Sequence, residues 1–312
     1  HELAWQDDLM AGELKALLEH PATRVTGNNP LPLPPQLHYP RPALPAALLP
    51  AELSVSMHRQ LIDCPYKFFA ACGLKLKPRE AVREAFEKAE YGSLVHKTLE
   101  VFHKGCSGYP ASFSAPVTPN NRTQAISALE KISDTVFARE LEDNFEHRAW
   151  LRRWKTLLPD YIDWQITQQQ SWSFQDAERQ SEFTLMPGRT LKGRLDRIDS
   201  NATGLAILDY KTGGIPRQDE VNSGEEVQLP SYALLTESLP QRVEYLQVDK
   251  NIRNRVCLEG EGLAELAGDV KQRLVTVMSE LESGTELPAW GDMKTCGYCE
   301  MSGLCRKQAW LE

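Results

Sequence analysis

The apolar positions of the chain change their period near residue 180. Before that point they recur three and four residues apart, the spacing of one helix face. Leu9, Leu14, Leu17 and Leu18 predict a short amphipathic helix over Asp7–His20. Longer patterns predict helices over Ser56–Cys72, over Arg79–Lys104 with a break at Gly92, over Thr123–Leu141 and over Arg148–Gln170. From Ser181 to Lys211 the runs FTLM, LKGRLDRID and LAILDYK are separated by Pro187-Gly188 and by Asn201 to Gly204. They predict strands, the last two joined as a hairpin. A helix over Glu225–Leu239, strands over Arg242–Asp249 and Arg255–Glu259, and a helix over Leu263–Gly284 complete the pattern. No period repeats along the chain, which excludes a solenoid.

Eight prolines between Pro30 and Pro50 forbid helix and central strand there, so that stretch reads as an extended linker. The expected organisation is a leader helix and proline-rich linker over residues 1–53 and one large domain over 54–312. The chain begins at His1 without the basic and apolar pattern of a secretion signal, and it reads as a piece of something longer. Every apolar stretch is interrupted well before the roughly 18 residues of a membrane span, so no membrane partner is expected.

Composition changes this picture in two places. Hydrophobic residues at 41% and charged residues at 25% are ordinary for a folded domain, but the formal net charge of −8 has the wrong sign for nonspecific coating of nucleic acid. Only a local basic groove could serve. The seven cysteines are odd in number in a chain without a secretion signal, which favours metal ligation or free thiols in a reducing cytoplasm over disulfides.

The hairpin carries the candidate chemistry. A turn at Ala202 and Thr203 sets Asp196 directly opposite Asp209, and two opposed carboxylates make sense around a cation. Side chains alternate along a strand, so Lys211 joins Asp209 on one face while Tyr210 points to the other. A divalent metal, Mg2+ or Mn2+, held by the two aspartates could acidify a water and neutralise a phosphate oxygen, with Lys211 stabilising developing charge. Asp196, Arg197 and Asp199 could instead form surface ion pairs. Against that, Leu205, Ile207 and Leu208 make the second strand a buried element.

The pattern of Asp196 followed after twelve residues by Asp209-Tyr210-Lys211 resembles the PD-(D/E)xK nuclease superfamily, with Asp replacing the commoner Glu before x-Lys. GSLVH ending at His96, GRLDRID around Asp196 and QLPSY from Gln228 to Tyr232 resemble its RecB and AddB-type branch, in family order. The resemblance implies an α/β fold with a restriction-endonuclease-like core, a mixed central sheet flanked by helices, with helical additions and a four-cysteine iron-sulfur lobe. It implies metal binding by His96, Asp196, Asp209 and Tyr210, and an active site completed by Lys211, Gln228 and Tyr232. His103, two turns along from His96, has no counterpart and reads as a surface residue.

Cys296, Cys299 and Cys305 are close enough in sequence for their thiolates to share one metal or cluster, and a fourth ligand must come from elsewhere. IDCPYKFFAACGLKLK resembles the segment that supplies the remote cysteine in AddB-type and CRISPR-associated iron-sulfur nucleases, which implies Cys64 as the fourth ligand of a [4Fe-4S] cluster. Zinc is the alternative at such a site. Ligation across so long a loop would remove roughly 5 kcal/mol of denatured-state entropy.

Arg148, Arg152, Arg153 and Lys155 interleave with Trp150 and Trp154, a composition that suits either a DNA track or a solvated helix with core tryptophans. Lys67, Lys75, Lys77 and Arg79 beside Cys64 are a second candidate track. Taken with the resemblance, these features imply a metal-dependent deoxyribonuclease acting on DNA ends or single strands, as the nuclease part of a helicase-nuclease repair protein. A non-catalytic DNA-binding module of such a complex, or a free-standing nuclease of the CRISPR-associated kind, are the alternatives.

Overall fold

In the computed structural model the described residues are 40–77, 88–140 and 145–307. The predicted leader helix, the linker up to residue 39 and Arg79 lie outside them. A mixed six-stranded sheet carries helices on both faces. Its strands are β1 (Glu52–Ser54), β2 (Ser173–Met186), β3 (Arg189–Asn201), β4 (Gly204–Lys211), β5 (Arg242–Val248) and β6 (Ile252–Glu259).

The long strand β3 organises the sheet. Along one edge it pairs antiparallel with β2. Its other edge is shared end to end, by β1 in parallel at Thr190 to Lys192 and by β4 antiparallel from Arg197 to Asn201. The hairpin register is the one expected from the turn: Asn201 pairs with Gly204, Ile198 with Ile207 and Arg197 with Leu208. Beyond that pair, β4 leaves β3 and runs parallel to β5, with Asp209 beside Tyr245. Among the described residues, Gly193 to Asp196 therefore have no strand partner on the β4 side, and the sheet opens into a fork there.

Alternation along β4 sends Ile207 to one core and Leu208 and Tyr210 to the other. The first core packs under α1 (Val55–Asp63), α2 (Pro65–Phe68, continued by a wider turn through Gly73), α7 (Gln228–Leu234) and α8 (Gly260–Glu282). The second packs under α3 (Lys88–His103), α4 (Arg122–Glu140) and α5 (Phe145–Gln168). Residues 40–53, read from sequence as linker and boundary, contribute Leu44, Leu49 and Leu53 to the first core. Contrary to the expectation from the prolines, the segment holds one 3-10 turn, Ala46–Leu48, beside an isolated bridge of Ala43 to Glu286.

Three expectations need correction. Helix α3 runs through Gly92 without a break. The helix expected over Glu225–Leu239 is only α7, seven residues long, and a separate short helix, α6 (Gln218–Asn222), precedes it and ends before Gly224, whose φ is 75°. Strand β2 begins eight residues before the Ser181 expected, because the polar run preceding it lies half-exposed and gives no apolar alternation. Short helices α9 (Met293–Gly297), capped by the Asp292 side chain, and α10 (Ser302–Cys305) form the cysteine-bearing tail.

Candidate active site at the fork of the sheet

The fork exists because alternation slips at Asp196: Leu195 and Ile198 reach the same core, while Arg197 between them turns to the opposite face. Asp196 is left pointing along the sheet, where its Oδ2 accepts the Tyr210 backbone N–H at 2.9 Å. The carboxylate thus stands where a ladder partner would otherwise continue. Asp209, next in register, is buried beside it.

Two glycines let helices reach this fork. A Cβ on Gly193 would lie 2.4 Å from Leu235 Cδ1, so its absence lets α7 settle on β3 and deliver Gln228 and Tyr232. A Cβ on Gly92 would meet Thr212 Oγ1 at 3.0 Å, which is why GSLVH can press α3 against the end of β4 and deliver His96.

The delivered side chains interlock. His96 Nδ1 lies 3.5 Å from Asp196 Oδ2 and 3.7 Å from Glu178 Oε1, while its Nε2 donates to the Tyr210 carbonyl at 3.0 Å. Lys211 Nζ lies 2.5 Å from Asp209 Oδ2 and donates to Gln228 Oε1 at 3.0 Å. Gln228 Nε2 donates to Asp209 Oδ1 at 3.0 Å and contacts the Tyr232 hydroxyl at 2.8 Å. Tyr210, expected at the metal, brings only its backbone: its hydroxyl lies on the opposite face, 3.1 Å from that of Tyr161.

Electrostatics separate the two aspartates. Burial and the neighbouring Asp196 charge push Asp209 up to about 7, with Lys211 opposing. Asp196, although burial also acts to raise it, is held below the usual carboxylate range by His96 and the Tyr210 N–H. Burial works against a charged His96, yet the surrounding carboxylates, Asp196 foremost, lift it to about 10. In the absence of an ion, an imidazolium and an ammonium stand among anions that want positive charge.

These donors fit a hard divalent cation. Ligand atoms of His96, Glu178 and Asp196 all lie within 4.8 Å of one another. Buried Asp209 Oδ2 already meets positive charge, the Lys211 ammonium 2.5 Å away. Carboxylates and a backbone carbonyl are oxygen donors for a divalent ion, and the imidazole adds one nitrogen donor. Glu178 is absent from the sequence reading, since it lies in the featureless stretch QDAERQSE of β2.

A cavity of about 630 Å3 opens on the Lys211 and Gln228 side, lined by Arg59, Lys192 and Arg194, each paired with a carboxylate, together with Asp196 and Glu226. A second, of about 510 Å3, opens on the His96 and Glu178 side. The aromatic-basic stretch at 148–155 is partly taken up by packing and ion pairs. Trp154 is fully buried with its Nε1 donating to Ser133, Arg153 is paired with Asp249, and Lys155 lies 2.7 Å from Asp134. His103 is likewise no surface residue. It shares a hydrogen bond of 2.6 Å with the Tyr161 hydroxyl, and burial holds it well below the ordinary histidine range.

Cys64, Cys296, Cys299 and Cys305 lie near one another. Burial raises the Cys305 thiol, and so do Cys299, Cys64 and Cys296 around it. Gly291 makes room there, since a Cβ on it would lie 3.3 Å from both Cys296 Sγ and Cys64 Cβ. Cys72 and Cys257 stand apart, their thiols pushed by burial up to about 11 and about 12. Among the described residues no helix is long and apolar enough to cross a membrane.

Comparison with known proteins agrees with this geometry. The chain is 27% identical over 184 residues to an uncharacterized protein of Rickettsia conorii, covering 58% of this chain and 21% of that one. It is 24% identical over 230 residues to an ATP-dependent helicase/deoxyribonuclease subunit of Clostridium perfringens, covering 64% of this chain and 20% of the relative. The helicase/deoxyribonuclease subunit of the same name in Alkaliphilus metalliredigens is 24% identical over 213 residues, covering 59% and 17%. The chain thus spans about a fifth of the length of the curated relatives it matches. The profile of one family covers residues 52–306, from β1 through the last cysteine, and by that match the chain belongs to the PD-(D/E)XK nuclease superfamily.

Proposed function

We propose that this chain is a metal-dependent deoxyribonuclease, hydrolysing phosphodiesters at DNA ends or single strands as the nuclease part of a helicase-nuclease protein that serves double-strand-break repair. The observation that carries the reading is the fork: Asp196, Asp209 and Lys211 meet at the mouth of a cavity with basic side chains.

A bound divalent ion, held by His96, Asp196, Asp209 and the Tyr210 carbonyl, would supply Lewis acidity for the water and the phosphate. The chain's own residues do the rest. Gln228 bridges Asp209 and Lys211 through hydrogen bonds, so the ammonium at the cavity has its geometry set before substrate arrives. Tyr232 and Tyr245 back Gln228 from the core side, with the Tyr245 hydroxyl donating to Gln228 Oε1 at 3.2 Å. Arg59, Lys192 and Arg194 would take phosphates of the strand.

End-labelled single- and double-stranded DNA with Mg2+ or Mn2+ provides the test. Asp196→Ala and Asp209→Ala should each abolish cleavage with the fold intact, and Lys211→Ala should abolish it with the metal still bound. Wild-type-like cleavage by either aspartate variant overturns the reading.

Cys64, between α1 and α2, and the three cysteines of the tail carry a [4Fe-4S] cluster in this reading, which pins the chain around Cys64 to the tail. Anaerobically prepared protein should be brown, with broad absorbance at roughly 400 nm and about four irons per chain. Stoichiometric zinc without iron rejects the cluster. Cys72→Ala and Cys257→Ala should keep the colour, and Cys64→Ala should lose it.

A further inference from the structure

Glu178 occupies a place that the metal-site residues read from sequence do not explain. The flanking pairs Ala177–Arg197 and Arg179–Leu195 set it across from Asp196, on the strand edge opposite the fork. Its φ of 51° is left-handed, a conformation that a glutamate inside a strand adopts only when its surroundings impose it. The distortion sends the side chain over β3 toward His96. Only 10% of that side chain remains exposed. The two carboxylate oxygens face different cations: Oε1 lies 3.7 Å from His96 Nδ1, and Oε2 lies 2.8 Å from Arg194 Nε.

Arg194 is the contrasting partner. Its side chain is 58% exposed, and it lines both cavities that flank the fork. An exposed guanidinium holding a buried carboxylate can leave at little cost if another cation takes its place. The carboxylate cannot be left alone.

We propose that Glu178 is a further ligand of the divalent ion and that Arg194 competes with the ion for it. Without metal, Arg194 neutralises Glu178. With metal, Glu178 turns its charge to the ion, and the freed guanidinium meets a phosphate of the nucleic acid. The exchange makes metal and DNA binding mutually reinforcing, because each ligand removes Arg194 from the contact that opposes the other. This inference rests on the metal-dependent reading above.

Calorimetric titration of the full chain with Mn2+ tests it, alone and at saturating concentration of a single-stranded phosphorothioate oligonucleotide. Wild-type protein should bind Mn2+ several-fold more tightly with the oligonucleotide than without. Arg194→Gln should bind Mn2+ several-fold more tightly than wild type in its absence, and the oligonucleotide should then add nothing. Glu178→Gln should weaken Mn2+ binding about tenfold or more, within the range seen when a metal site loses a supporting group. Glu178→Asn, which tolerates the left-handed backbone but is too short to reach, should do the same and guards against a folding artefact. Asp196→Asn separates failure of this inference from failure of the reading beneath it. If Asp196→Asn loses Mn2+ while Glu178→Gln and Glu178→Asn bind it normally, Glu178 is no ligand and this inference falls alone. If Asp196→Asn also binds normally, the metal site itself falls. Unchanged or weaker Mn2+ binding by Arg194→Gln overturns the competition.

Discussion

The ion pair beneath the fork invites a quantitative test. Arg197 is fully buried and donates from Nε to Asp199 Oδ1 at 2.7 Å and from Nη1 to Gln165 Oε1 at 2.7 Å. Its Nη2 makes no hydrogen bond, and the guanidinium lies 5.3 Å from the Trp164 ring centre and 5.7 Å from that of Phe174. Asp199 is also fully buried, with Gln168 Nε2 donating to its other oxygen at 3.0 Å. Arg197→Met strands Asp199 with one neutral donor, and Asp199→Asn strands the guanidinium, so each change should cost about 3–5 kcal/mol. The double variant buries no charge. It loses the contacts to Gln165, His103 and the tyrosines, about 2–4 kcal/mol for two or three hydrogen bonds. A sum of the single effects would be about 6–10 kcal/mol, so the coupling between the two sites should reach about 2 kcal/mol or more. Urea denaturation followed by tryptophan fluorescence measures all four corners of the cycle. Additive losses would refute the reasoning, because they would mean that neither charge depends on the other.

Other perturbations follow from the same geometry. In metal-free protein His96 is raised to about 10, so its contribution to stability is complete below its ordinary value near 6.5 and is lost between there and 10; thermal melts in EDTA should fall over that range in wild type and much less in His96→Asn. Asp209 is raised to about 7, so its share of stability declines as pH rises from about 4 to 7, and Asp196→Asn should move its titration downward in a carboxyl NMR titration. Gly193→Ala drives a methyl into buried Leu235 and should cost about 1–3 kcal/mol and cut cleavage through α7, with Gly92→Ala milder; equal effects would contradict the close approaches given above. Reversing charge at Lys75 and Lys77 should weaken DNA binding without altering metal content, as read by salt-dependent anisotropy.

The hairpin was legible because its turn is fixed by Asn201 to Gly204, and register then places every later residue. The core of β4 was legible for a similar reason, being a short apolar run between turns. Glu178 was not, since a polar strand with one left-handed residue has no period to detect. The network of His103, Tyr161, Arg197 and Tyr210 was equally silent: each residue looks solvated by type, and only the pairing of charges and hydroxyls across four elements makes burial tolerable. The tryptophans of α5 sent an ambiguous signal that packing resolved, Trp154 into the core and Trp150 onto Tyr91 at 4.6 Å.

The fork also limits how this sequence can drift. Asp196 and Asp209 face each other only while both arms of the hairpin count equally from the turn. A single residue inserted into one arm would carry that arm's aspartate to the wrong side of the sheet, whereas one added to each arm, or several added at the tip between Asn201 and Gly204, would leave the carboxylates together. Relatives should therefore differ freely in the number of residues between their two acids while preserving the phase of each arm. The tip is accordingly the place where a tag, a label or a reporter domain could be spliced within a short stretch of chain from the chemistry without moving it.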